Sequence, residues 1–173
     1  MEDNECYLEI GTYKGLTLLS AAYGNVDRTC IGCDKFRFLG RFTGSGILAK
    51  RALRRSLERY RAHTGKIEFH EMSSERMFSE RRVSTPVGVY FYDGDHSFEG
   101  TYRGIIQAFP LLSHRSIIVV DDWNDIVIRG ATREALRDTK LHCLWERELP
   151  GDHTVDSWWN GLGVFFVEKQ DRS

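Results

Sequence analysis

Apolar residues along this chain fall into two patterns. Short blocks end at a glycine or an aspartate, and between them lie longer stretches in which apolar positions recur every three or four residues. The blocks at 6–11 (CYLEIG), 29–34 (TCIGCD), 66–72 (KIEFHEM), 87–93 (VGVYFYD) and 116–123 (SIIVVDDW) predict strands. The last of these is apolar until its acids, as expected of a strand covered on both faces. Helices are predicted over 15–24, 46–63, a short segment near 74–82, 96–112 up to Pro110, and 131–139. In 46–63, Ile47, Leu48, Leu53, Leu57 and Tyr60 lie close to a 3.6-residue period with arginines between them. Two final strands, 142–149 and 161–169, are joined by GDHTVDSWWN. No helical pattern separates them, so they should pair antiparallel. Alternating strands and helices predict a doubly wound α/β sheet of seven strands with right-handed crossovers.

The chain has 173 residues, and no Pro/Ser-rich linker, repeat or low-complexity tract divides it. One domain over 1–173 is therefore expected, long enough to bury roughly 70% of its unfolded surface. Lys and Arg number 24 against 25 Asp and Glu, a net charge of −1, which argues against coating nucleic acid or an anionic membrane. No apolar run approaches the ~20 residues of a bilayer span. The start, MEDNECYLEIG, lacks the basic-then-apolar order of a signal peptide. A soluble, cytoplasmic protein is expected. Cys6, Cys30, Cys33 and Cys143 all fall in strand-like runs and read as core cysteines. Cys30 and Cys33 form a C-x-x-C, but residues three apart in a strand point to opposite faces, and no second Cys/His pair stands at a zinc-like spacing.

In doubly wound sheets, ligands bind at the carboxyl ends of the strands. The first strand runs into Glu9-Ile10-Gly11-Thr12-Tyr13-Lys14-Gly15, a turn whose glycines let backbone approach a ligand beside a helix N-terminus. The second strand ends in Asp34, at the distance from that turn suited to ribose hydroxyls. Together they point to an adenosine-containing ligand, while the absence of G-x-G-x-x-G counts against NAD or FAD. Strand 87–93 leads into Asp93-Gly94-Asp95-His96, and strand 116–123 carries Asp121-Asp122. If these strands are neighbours, four carboxylates and an imidazole converge. Such a cluster needs a shared cation or proton, and its oxygens suit Mg²⁺, Mn²⁺ or Ca²⁺ better than zinc. Helix capping would account for one acid, Asp95, but not for Asp93, Asp121 and Asp122 together.

These residues carry a family resemblance. Glu9-x-Gly11-x-x-x-Gly15 resembles the first motif of class I S-adenosylmethionine-dependent methyltransferases, and Asp34 resembles their acidic ribose position. DGDHSFEGTYRGI (93–105) with IIVVDDW (117–123) closely resembles the macrocin O-methyltransferase-like family, itself similar to the metal-dependent catechol O-methyltransferases. The resemblance covers nearly the whole chain. It implies a Rossmann-like, mostly parallel sheet with an antiparallel last strand. It also implies an enzyme that methylates a hydroxyl of a small molecule, sugar or catechol-like, using S-adenosylmethionine and Mg²⁺ or another divalent cation. Carried over by position, Glu9, Gly11, Thr12, Tyr13, Gly15, Asp34, Ser74 and Asp93 would contact the donor, and Asp93, Asp121 and Asp122 would hold the metal. Asp95 falls where sugar O-methyltransferases of this kind place a general base, and His96 where the catechol enzymes carry lysine. The family's Gly-Asp-Ser after the third strand aligns with Met72-Ser73-Ser74, leaving Ser74 as the adenine contact.

Members of that family carry N-terminal helices over the substrate, whereas here the first strand begins at residue 6. Three arrangements follow as expectations: an open pocket, one completed in a homodimer, or one walled by the 150–160 loop with Trp158 and Trp159. Arg51, Arg54, Arg55, Arg59 and Arg61 read as a solvated helix face; an RNA methyltransferase reading, and one as a module that binds S-adenosylmethionine without chemistry, are the alternatives.

Overall fold

The computed structural model describes residues 1–38, 41–42, 44–154 and 158–170. In chain order the elements are β1 (Cys6–Ile10), α1 (Leu16–Ala22), β2 (Thr29–Cys33), a small hairpin of β3 (Arg37–Phe38) and β4 (Arg41–Phe42), and α2 (Gly44–Tyr60). They continue as β5 (Lys66–His70), α3 (Ser74–Ser79), β6 (Val87–Tyr92), α4 (Phe98–Ala108), β7 (Leu112–Val120), α5 (Ile126–Asp138), β8 (Leu141–Leu149) and β9 (Leu162–Lys169). The β3–β4 hairpin has no counterpart in the hydrophobic pattern, because two-residue strands are too short to show a period.

Seven strands form one sheet in the order β5-β2-β1-β6-β7-β9-β8. All neighbours are parallel except β9, which runs antiparallel to both β7 and β8. The last strand therefore inserts between β7 and β8 and leaves β8 at the edge. Alternation along the strands feeds two layers. Leu8, Ile10, Ile31, Cys33, Tyr90 and Ile118 join Met77, Ile105 and Ala135 of α3, α4 and α5 in the larger core. Tyr7 and Cys30 turn the other way, toward Leu18 and Ala22 of α1. Cys30 and Cys33 thus lie on opposite faces and make no metal or disulfide pair. Cys143 departs from the expectation of a core cysteine: it is exposed, because edge strand β8 is exposed from His142 to Glu148. No helix among the described residues is long and apolar enough to cross a membrane.

Helix boundaries moved where caps, not periodicity, set them. α4 starts at Phe98 because the Ser97 hydroxyl accepts from Gly100 N, so Asp95 is not the cap. α5 starts at Ile126, ahead of the expected 131–139, because Asp125 Oδ1 accepts from Val127 N at 2.8 Å. Its first turn carries exposed Ile126 and Val127, which add nothing to the buried stripe.

From β1 the chain progresses outward through β2 to β5; from β6 it progresses the other way through β7. Strand order reverses between β1 and β6, and the ends of these two strands form the switch-point crevice where doubly wound sheets take ligands.

Candidate active site

At the switch point Gly11 and Asp93 touch. Gly11 has φ +92, and a Cβ there would lie 1.7 Å from the Asp93 carbonyl oxygen. A glycine is what allows the two strand ends to close, with Asp93 N donating to Ile10 O at 2.9 Å. The turn continues through buried Thr12 to Tyr13, a non-glycine residue at φ +46. Tyr13 N donates to Asp34 Oδ2 at 2.7 Å and Phe36 N donates to Asp34 Oδ1 at 2.6 Å. The Asp34 carboxylate is thereby fixed between the glycine turn and the exit of β2. Gly15, at φ +84, opens α1 and packs so closely on Leu53 that a Cβ would meet its Cδ1 at 2.3 Å.

A cleft of about 680 Å³ opens over these groups. Gly11, Tyr13, Asp34, Met72, Ser74, Asp93, Asp95 and His96 line it. Of the expected donor contacts, Glu9, Thr12 and Gly15 do not line it; they build the turn from beneath. Glu9 is fully buried on the Tyr7 face of β1 and accepts from the Tyr7 hydroxyl at 2.6 Å. Burial pushes its carboxyl up to about 7, against the lowering effect of that hydrogen bond.

On the other side of the crevice, Asp93, His96 and Asp122 present ligand atoms within 4.8 Å of one another, the one such group among the described residues. His96 Nδ1 lies 2.8 Å from Asp122 Oδ2, and Nε2 lies 3.4 Å from Asp93 Oδ1. Hydrogen bonds to Asp122 and Asp93 raise the imidazole to about 10. Burial raises Asp93, and His96 lowers Asp122. The imidazolium itself supplies one positive charge between the two carboxylates; with its proton displaced, two carboxylates and one imidazole form a ligand set that a divalent transition cation such as Mn²⁺ can use. Asp121 stands apart from that group: its Oδ1 accepts from Asp122 N at 2.8 Å, and burial, then the Asp93 charge, lifts it to about 6. Asp122 itself is held at φ +56, a strained backbone position of the kind concentrated at functional sites. Asp95 Oδ1 accepts from Ser97 N at 2.9 Å, and Ser97 lowers its carboxyl below the ordinary range.

Of two asparagines that sequence reasoning left unassigned, Asn160 bonds Asp122 and Asn124 fastens the neighbouring loop. Asn160 Nδ2 donates to Asp122 Oδ1 at 2.5 Å. The Asn124 side chain donates to Gly151 O at 2.7 Å and accepts from Gly151 N at 3.2 Å. Between Asp122 and Asn160 lie α5 and β8, so no local spacing could have revealed the pair. Trp158 and Trp159 are 53% and 60% exposed on the same loop. Residues 155–157 of the 150–160 loop lie outside the described residues.

A protein-family model described as a methyltransferase domain matches residues 8–123. The chain belongs to this methyltransferase family. The matched segment runs from β1 to Trp123 and takes in the glycine turn, Asp34, Asp93, His96 and both Asp121 and Asp122. Among curated proteins, no sequence matches this methyltransferase. Among solved structures it is similar to the O-methyltransferase NovP, at 16% identity and TM-score 0.60 over 94% of this chain and 71% of NovP. It is similar as well to an O-methyltransferase from Bacillus cereus in complex with SAH (S-adenosylhomocysteine), at 12% identity and TM-score 0.65 over 96% of this chain and 75% of that one. SAH-bound PaMTH1 of Podospora anserina matches at 15% identity and TM-score 0.63, over 96% and 72%. At these identities the likeness is one of fold.

Proposed function

We propose that this methyltransferase moves the methyl group of S-adenosylmethionine to a hydroxyl oxygen of a small molecule, assisted by a divalent cation. The carrying observation is the shared position of Asp93. Its backbone closes on Gly11 of the donor turn, and its carboxylate faces His96 and Asp122. Donor and acceptor sites would then meet at one residue. The SAH bound in the Bacillus cereus and Podospora anserina structures supports the choice of donor.

Gly11, Tyr13, Asp34 and Ser74 would hold the donor, with the fixed Asp34 carboxylate accepting from ribose hydroxyls. Asp93, His96 and Asp122 would hold the cation, Asp121 supporting Asp122 from behind. A bound cation supplies Lewis acidity toward the acceptor hydroxyl and fixes its aim. As the oxygen–methyl bond forms and the sulfur–methyl bond breaks, the bonding pair stays on sulfur and the hydroxyl proton must leave. Asp95 takes that proton in this reading, since it lines the cleft while both nitrogens of His96 face carboxylates. Pre-alignment of methyl and oxygen is worth up to about 7–11 kcal/mol in well-oriented systems.

The test is calorimetry with SAH, followed by radiolabelled methyl transfer to a panel of hydroxylated sugars and catechols with and without EDTA. Micromolar SAH binding and EDTA-sensitive turnover are expected. NADH binding without SAH binding would overturn the donor, and turnover undiminished in EDTA would overturn the cation.

A further inference from the structure

We infer that Asn160 is a positioning residue for the cation site, and that the neck of the loop it ends holds its amide against Asp122. The inference rests on the reading of Asp93, His96 and Asp122 as that site.

An aspartate can turn either oxygen toward a neighbour. Here the choice is made by the amide of Asn160, which occupies Oδ1 at 2.5 Å and leaves Oδ2 toward His96 Nδ1 at 2.8 Å. Without the amide, the His96 contact would be left to hold the carboxylate of Asp122, which stands on a strained backbone at φ +56. Partners of this kind, bonded to a ligand rather than to the ion, orient the ligand and tune affinity.

The loop is fastened to the same segment four more times. Trp123 N donates to Gly161 O at 3.1 Å and Asn124 N donates to Asn160 O at 2.7 Å. The Asn124 amide adds its two bonds to Gly151. The neck of the loop is tight enough to exclude side chains. A Cβ on Gly151 would lie 1.8 Å from Trp158 O, and Gly161, at φ +81, would place one 2.8 Å from Asn124 Oδ1. Trp158 and Trp159, exposed and directly before Asn160, therefore cannot shift far without pulling on Asp122.

The experiment titrates Mn²⁺ by calorimetry into the intact wild type, Asn160→Ala and Asn124→Ala. SAH affinity and the melting temperature in EDTA are measured alongside. Asn160→Ala should weaken Mn²⁺ binding 10–100-fold, with SAH affinity and the EDTA melting temperature unchanged. Asn124→Ala, which loosens the neck but keeps the Asn160 amide, should weaken it by a smaller factor. Equal Mn²⁺ affinity in wild type and Asn160→Ala would overturn the inference and leave the cation reading intact. A wild type that binds no Mn²⁺ would overturn both.

Discussion

The two sides of the crevice are built by different means. The side proposed for the donor is built around one turn: Gly11, Tyr13 and Gly15 sit on it, and Asp34, from the end of β2, is fixed to it through backbone N–H groups on two short segments. The side proposed for the cation gathers Asp93 and His96 after β6, Asp122 after β7, and Asn160 just before β9. A local site depends on backbone conformation, so glycines dominate it. An assembled site depends on side chains held against mutual repulsion, so its partners are hydrogen-bond donors from distant segments.

The change that should break the contrast most completely is Gly11→Ala, since Gly11 belongs to one side and abuts Asp93 of the other. A methyl group 1.7 Å from the Asp93 carbonyl oxygen cannot be accommodated without parting β1 from β6. Strain at φ +92 adds to the clash, and a loss of about 3 kcal/mol or more is expected in urea unfolding, together with loss of both SAH and Mn²⁺ binding. Retention of either ligand would show the two sides to be more independent than their contact implies.

Next in size is the buried carboxylate beneath the donor turn. The Glu9 carboxyl is raised in the folded protein to about 7, above its ordinary value of 4.5. The native state therefore keeps a proton that the unfolded chain releases, and stability falls as pH rises from about 4.5 to about 7, reaching a constant penalty above that. At 1.36 kcal/mol per pH unit the full effect is of the order of 3 kcal/mol. Glu9→Gln should lack it, gaining on the wild type by that order between pH 4.5 and pH 8 in chemical unfolding. SAH affinity within a few-fold of wild type would show that Glu9 supports the turn from beneath; a parallel pH profile for both proteins would remove the buried-charge account.

A crossed pair of substitutions separates the sides. Asp34→Ala should weaken SAH binding by roughly 1–3 kcal/mol and leave Mn²⁺ binding intact. Asp122→Ala should do the reverse. For the wild type, a cation at 100 times its Kd stabilises the fold by about 2.7 kcal/mol, a rise in melting temperature of roughly 5–10 °C for a chain of this size. That rise should vanish in Asp122→Ala. In Asp121→Asn it should shrink less, because Asp121 bonds the Asp122 backbone instead of facing His96. Equal losses in the two variants would place Asp121 among the ligands.

What could be read in advance follows the same division. Gly11 and Gly15 were legible because a βα turn is made by neighbours in sequence, and Asp34 because an acid ending the next strand stands at the distance that suits ribose hydroxyls. Asp93, His96 and Asp122 were legible as acids and an imidazole at strand ends, but their grouping required β6 and β7 to be adjacent, which pairing supplied. Glu9 was read as a donor contact because motif position says nothing of which sheet face a side chain takes. In the structure it shares the Tyr7 face and lies below the cleft. Cys143 was read as core because its run is apolar, whereas edge position leaves β8 exposed.

The sequence by itself determined the alternation of strands and helices, the glycine turn and the acids at strand ends. Each of these is set by hydrophobic period or by backbone conformation over a few residues. Only the tertiary structure decided which acids face one another, that His96 stands between two of them, and that Asn160 turns Asp122. These depend on strand order and on contacts such as Asn160 with Asp122, 38 residues apart, and side-chain contacts at that separation leave no periodic trace in the chain.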